Sequence, residues 1–195
     1  LMPDAFILAA CRTPIGRFRG AFSALPSHSL GAVAVREAVA RASLHSSDIE
    51  EVILGNVLTA GVGQAPARQA ALRGGLPANV AALTVNKVCG SGLKAVMLAS
   101  QAVRCGDVEL AVAGGMESMS NAGWVLPRGD PGFGDRTLTD SMRHDGLTCA
   151  FSSRSMGDIA EQLAEDAGIS RDAQDQFALE SQRRAVAMLV EREQG

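Results

Sequence analysis

The stretch from Leu83 to Val103 constrains this chain more than any other. Leu83, Val85 and Val88 form a short β-prone run, Cys89-Gly90-Ser91-Gly92 interrupts it, and a mostly apolar segment of helical length follows. The pattern predicts a strand, a tight turn and a buried helix, with Cys89 at the corner. Gly90 and Gly92 allow close backbone approach there, and the first free amides of the helix point toward the sulfur. A helix N-terminus favours an anion, which makes a sulfur at that place a better nucleophile. A lone cysteine on a strand is also a common small buried hydrophobe, so the local pattern leaves both readings open. Two other motifs are excluded at this turn. Gly90-Ser91-Gly92 lacks the spacing of the Gly-x-Ser-x-Gly elbow, and Gly92-Leu93-Lys94 lacks the glycine spacing and the Ser/Thr of a phosphate-binding loop.

Around this centre, strand and helix signals alternate. Ala5 to Ala10 is a continuous apolar run that suits a strand buried on both faces. Ser29 can cap a helix from Leu30 to Ala42, with Leu30, Val33, Ala34 and Ala38 on its inner face and Arg36, Glu37 and Arg41 turned away. Val52-Ile53-Leu54 reads as a second buried strand ending at Gly55-Asn56. Pro66 then opens a helix over Ala67 to Arg73, stopped by Gly74-Gly75. Gly61 and Gly63 lack the third glycine of a dinucleotide loop. Gly106 closes the central helix, and Val108 to Val112 reads as a strand delivering Gly114-Gly115 at its end. This alternation predicts an α/β fold, a parallel-type sheet sandwiched by helices with its loops gathered on one side.

After Ser118 the character changes. Asn121 to Asp140, with Trp124, Pro127, Pro131 and several glycines, has no periodicity and reads as a long excursion, linker or lid. Two helices follow, Asp158 to Ala167 and roughly Arg171 to Glu193. The second carries Phe177, Ala178, Ser181, Ala185, Met188 and Leu189 along one side, a stripe expected to pack.

Composition narrows the function. At 195 residues, 47% apolar and 20% charged, the chain has the makeup of an ordinary soluble globular protein. A net charge of −3 gives no electrostatic case for nucleic acid or for an anionic membrane. The longest apolar runs fall far short of the roughly 20 residues of a membrane helix. Leu1-Met2-Pro3-Asp4 has no basic stretch before its short apolar run, so it does not read as a signal peptide. Cys11, Cys89, Cys105 and Cys149 show neither metal-type nor dense disulfide spacing, and His28, His45 and His144 pair with none of them. The expectation is reduced thiols, no metal, no cofactor and a cytoplasmic location.

Val85-Asn86-x-x-Cys89-Gly90-Ser91-Gly92-Leu93-x-Ala95-Val96 resembles the acyl-enzyme signature of the thiolases, the acetyl-CoA acetyltransferase and 3-ketoacyl-CoA thiolase family. Ala9 to Phe18 resembles that family's opening strand and loop, and Gly114 to Ser120 the strand end after the signature helix. His144 to Thr148 and Ser155-Met156-Gly157 resemble its CoA-side loops. The resemblance covers nearly the whole chain. It implies a layered fold with helices around a mixed, mostly parallel sheet, here incomplete. Residues 1–118 would form the N-terminal core domain without its last strand, and 119–195 a partial, partly helical loop domain covering the active site.

In such a protein Cys89 takes an acyl group as a thioester, which coenzyme A or an acetyl-CoA carbanion then collects, in fatty acid metabolism. The Cys89 amide would be one donor to the oxyanion. Leu147, Ser155 and Met156 match CoA-side positions, Leu147 and Met156 those lining the pantetheine tunnel, although a Met there is also an ordinary core filler. Ser155 stands where the short-chain biosynthetic enzymes usually have His, and Cys149-Ala150-Phe151 also departs from their pattern, which leaves longer 3-ketoacyl chains open. The implied partners are acyl-CoA or coenzyme A, a second copy in a homodimer or homotetramer, and the absent C-terminal half. That half would bring a His that activates the nucleophile, a second Cys acting as acid and base, and an Asn that orients a water. No His-Pro or Cys-x-Gly-Gly-Gly segment occurs here, so the chain alone is expected to be inactive. The competing readings are a split, non-catalytic subunit that serves in oligomerisation and, less well matched, a ketoacyl synthase.

Overall fold

Three parallel strands carry the fold, in the order β2 (Ala81–Val85), β1 (Glu51–Gly55), β3 (Ala111–Gly115). They belong to a computed structural model that describes residues 4–129 and 132–193. Leu1, Met2, Pro3, Asp130, Pro131, Gln194, Gly195 and the side chains of residues 189–193, Leu189 of the α5 stripe among them, lie outside the described residues. The register pairs Gly55 with Val85 on one side and with Gly115 on the other, so the three strands end level. β1 is central and reads Val-Ile-Leu because both of its faces are covered. Val52 and Leu54 join one cluster, with Val35 and Val39 of α1 (Ser27–Arg41) and Ala67, Ala70 and Ala71 of α2 (Pro66–Arg73). Ile53, pointing the other way, meets Ala95 and Ala99 of α3 (Ser91–Cys105). Each large side chain buried this way contributes about 1.5–3 kcal/mol. The expected α/β sandwich is therefore present, with α1 and α2 on one face and α3 on the other.

Several elements differ from expectation. Ala5 to Ala10 forms no strand, and Phe6 and Ile7 are 80% and 79% exposed. The cause is the lack of a ladder partner. This segment and Glu109–Gly115 line the same cavity of about 680 Å3, so open space separates it from β3. Apolar composition makes a strand only where an edge is within hydrogen-bonding reach. α1 begins at Ser27 after Pro26, not after a Ser29 cap. It buries Gly31, Ala32, Val35 and Val39, whereas Val33 is exposed. Its apolar residues run nearly all round, so periodicity did not fix the face. The small residue Gly31 did, because a Cβ there would lie 2.5 Å from Met116 Sδ. β3 takes in Gly114 and Gly115 themselves. The 121–140 excursion is pinched at its base by an antiparallel pair, β4 (Trp124–Val125) with β5 (Thr139–Asp140). Buried Ser141 tightens that base by donating its hydroxyl to Gly123 O at 2.6 Å.

The chain divides into two compact units, Leu1–Gly146 and Leu147–Gly195. In the second, Thr148 and Ser155 form an isolated antiparallel bridge, followed by α4 (Met156–Asp166) and α5 (Arg171–Glu193). The stripe expected to pack along α5 does not, since Phe177 is 82% exposed. No described helix is long and apolar enough to cross a membrane.

Candidate active site

Cys89 stands exposed between β2 and α3. The residue before it, Val88, has φ of +49°, a left-handed conformation that a β-branched residue adopts only under constraint. Two side chains supply the constraint. Asn86 Oδ1 accepts from the Val88 amide at 2.9 Å, while Ser91 Oγ accepts from the Lys87 amide at 2.8 Å and donates to Val88 O at 2.6 Å. Ser91 is buried and its hydroxyl is spent on the turn. Cys89 is left with the free, exposed thiol of the corner.

The sheet supports this corner from below. A Cβ on Gly55 would lie 2.5 Å from Ser91 Cβ, and one on Gly115 would lie 3.2 Å from Gly92 Cα. Only glycine lets the ends of β1 and β3 come this close to the first turn of α3. Gly90 caps α3 without a side-chain hydrogen bond, and among the described residues the Gly92 and Leu93 amides have no partner. The corner thus presents unpaired N–H groups and the positive end of a helix of 15 residues beside the sulfur.

A polar cluster lies under the same strand ends. Glu117 Oε1 accepts from Asn56 Nδ2 at 2.7 Å, and Oε2 accepts from the amides of Val57 and Leu58 at 2.8 and 3.3 Å. Ser27 Oγ donates to Asn56 Oδ1 at 3.3 Å. The signal was available in the register. Pairing Gly55 with Gly115 sets Asn56, a polar residue straight after a buried strand, beside Met116 and Glu117.

Residues 5–193 match the family model described as thiolase, N-terminal domain. The chain belongs to the thiolase family. Among its relatives, the acetyl-CoA acetyltransferase of Cupriavidus necator is 52% identical over 188 residues, covering 95% of this chain and 48% of that protein. The acetyl-CoA acetyltransferase of Pseudomonas aeruginosa is 50% identical over 190 residues, with 96% and 48% covered. The crystal structure of the Acat5 thiolase from Ascaris suum in complex with coenzyme A superposes with a TM-score of 0.92 at 42% identity, over 97% of this chain and 50% of that one. The chain thus spans about half the length of the thiolases it matches.

The other residues suggested by the thiolase resemblance lie in the second unit. Thr148 forms an antiparallel bridge with Ser155, which sets Leu147 and Met156, 39% and 40% exposed, at the same end of that pair. Ser155 is the N-cap of α4: its hydroxyl accepts from the Asp158 amide at 3.1 Å, while the Asp158 carboxylate accepts from the Ser155 hydroxyl and amide at 2.7 and 3.2 Å. These bonds, the hydroxyl first, hold the Asp158 carboxyl below its usual range. The Ser152 hydroxyl, then the Ser152 and Phe151 amides, lower the Cys149 thiol in the same loop. His144 Nδ1 meets Asp145 Oδ1 at 2.9 Å within the π-helical turn Met142–Leu147. Among the described residues no His, Cys, Asp or Glu cluster could hold a metal ion.

Proposed function

We propose that this chain supplies the nucleophile of a thiolase-type acyltransferase. The observation that carries the reading is the thiol of Cys89, exposed at the start of α3 on a turn whose hydroxyl, that of Ser91, is already engaged. In thiolysis the Cys89 thiolate adds to the 3-keto carbon of a 3-ketoacyl-CoA, giving a tetrahedral oxyanion. Collapse breaks the bond between carbons 2 and 3. The leaving enolate of acetyl-CoA takes up a proton, and the acyl group stays on sulfur. Coenzyme A thiolate then attacks the thioester, forming the shortened acyl-CoA and freeing Cys89. Run backward with acetyl-CoA, the same steps are a Claisen condensation. The Cys89 amide at the helix start is an oxyanion donor.

Residues 1–118 act as the core domain and 119–195 as part of a loop domain over coenzyme A, with Leu147 and Met156 against the pantetheine and Ser155 beside them. The A. suum relative, crystallised in complex with coenzyme A, supports this ligand. The base, the second cysteine and the water-orienting Asn come from the half that the relatives have beyond this chain, so the chain alone does not turn over. The setting is cytoplasmic fatty acid metabolism in a homodimer or homotetramer. The open edge of β2, with Leu83 exposed, favours a second role in oligomerisation.

The test is thiolysis of acetoacetyl-CoA and of a longer 3-ketoacyl-CoA. The chain alone should be silent, and adding the separately expressed second half should restore turnover that Cys89→Ala abolishes. Restored activity that survives Cys89→Ala would overturn the assignment.

A further inference from the structure

We infer that Glu117 is a positioning residue for Cys89, acting on it through the 56–58 turn and Asn86; the inference rests on Cys89 being the nucleophile. Glu117 follows β3 and spends both carboxylate oxygens on three N–H donors of residues 56–58. Among the described residues no ion pair involves it. A carboxylate accepting from several N–H groups makes charge-assisted bonds, roughly twice as strong as neutral ones, and here they hold a backbone turn.

Joining β1 to β3 does not require these bonds. The ladder already pairs the two strands as far as Gly55 with Gly115, and the Met116 amide donates to Gly55 O at 2.9 Å. What Glu117 adds lies past the ladder. The turn it holds passes its order toward the cysteine by two routes. The Asn56 amide donates to Val85 O at 3.1 Å, at the end of β2, and Asn86 Nδ2 donates to Val57 O at 3.5 Å. Asn86 Oδ1, on that same amide group, accepts from the Val88 amide. Val88 is the strained residue whose left-handed backbone sets the direction in which Cys89 leaves the turn. A carboxylate distant in sequence therefore fixes which way the sulfur faces relative to the free amides of α3.

The test uses two cysteines of one helix as probe and internal reference. Cys89 lies just before α3 and Cys105 ends it, and both are exposed. Site-resolved alkylation by iodoacetamide gives a rate for each in the same molecule. In Glu117→Gln, which keeps the shape but removes half the acceptor capacity, the ratio of the Cys89 rate to the Cys105 rate should fall about threefold or more. The Cys105 rate should stay constant. Amide exchange at Val88 should accelerate while that of Met116, in the strand join, holds. Asn86→Ala, which leaves the β1–β3 join untouched, should give the same fall, and the double variant no more than either alone. Asn86→Ala also reads the route if Glu117→Gln does not fold.

An unchanged ratio in a folded Glu117→Gln or Asn86→Ala variant, or losses that multiply in the double variant, would overturn the inference. The two readings fail separately. A wild-type Cys89 no faster than Cys105 removes the nucleophile assignment, whereas a wild-type excess that survives both variants removes the role of Glu117 alone.

Discussion

The corner at Cys89 and the helices after Leu147 are both well-formed secondary structure, yet they are held in opposite ways. At the corner, local bonds from Asn86 and Ser91 set the turn and contacts from across the chain back it: Asn56 meets Glu117, and the ends of β1 and β3 press on the first turn of α3. In the second unit the bonds are local. Ser155 and Asp158 close a capping box three residues apart, Arg171 pairs with Asp175, and Arg184 pairs with Glu180. α4 buries none of its residues. Contact from across the chain adds to a geometry what local bonds alone do not supply. Perturbations should therefore cost much at the corner and little beyond Leu147.

The largest effect is expected at Gly55. Its added Cβ in Gly55→Ala meets the Ser91 Cβ and, at 2.6 Å, the Ser91 carbonyl carbon, neither of which can swing aside. A loss of about 3 kcal/mol, at the upper end of overpacking costs, should appear in the urea midpoint. A loss below about 1 kcal/mol would mean that α3 shifts easily and the corner is not tightly set.

Acid should act next, and on the first unit. His28 is buried at the start of α1 with its Nδ1 unpartnered, and burial, then the charge of Arg73, pushes its pKa down. Because the folded value is lowered, the stability contribution is whole above the ordinary His range near pH 6.5 and is lost as pH falls through the folded value. The urea midpoint should decline on acidification below about pH 6.5, and the part due to this residue should vanish in His28→Gln.

Ser155→Ala sharpens the other side of the contrast. Loss of the N-cap should cost about 1 kcal/mol, seen as faster amide exchange in the first turn of α4, while amides of β1 keep their protection. Phe177→Ala should change stability least, within about 0.5 kcal/mol as for other exposed positions. A drop of 2 kcal/mol there would show that α5 is packed in solution.

The sequence carried the site further than it carried the elements around it. The strand, the Cys-Gly-Ser-Gly turn and α3 were legible because glycine, β-branched and helix-forming residues follow one another there without conflict. The same holds for Pro66 opening α2. Ala5 to Ala10 was misread because an apolar run states a preference for burial and not where a partner edge lies. The inner face of α1 was misread because alanine and valine occur on nearly all its sides, and packing against Met116 and Ala70 chose among them. The stripe read along α5 is unmet by packing among its described side chains, since Phe177 and Met188 are exposed. The role of Glu117 is not legible in the sequence because its partners are set by strand register, which no single segment reveals.

The measurement that bears most directly on the Cys89 corner is the alkylation rate of Cys89 against Cys105 in the native chain. They are both exposed thiols at opposite ends of one helix, so the comparison sets the two ends of the helix field against each other within one molecule. With a helix terminus worth 0.3–1 kcal/mol to a charge and of opposite sign at the two ends, Cys89 should react about tenfold faster. Equal rates, or a faster Cys105, would contradict the claim that this corner is built to hold a reactive sulfur.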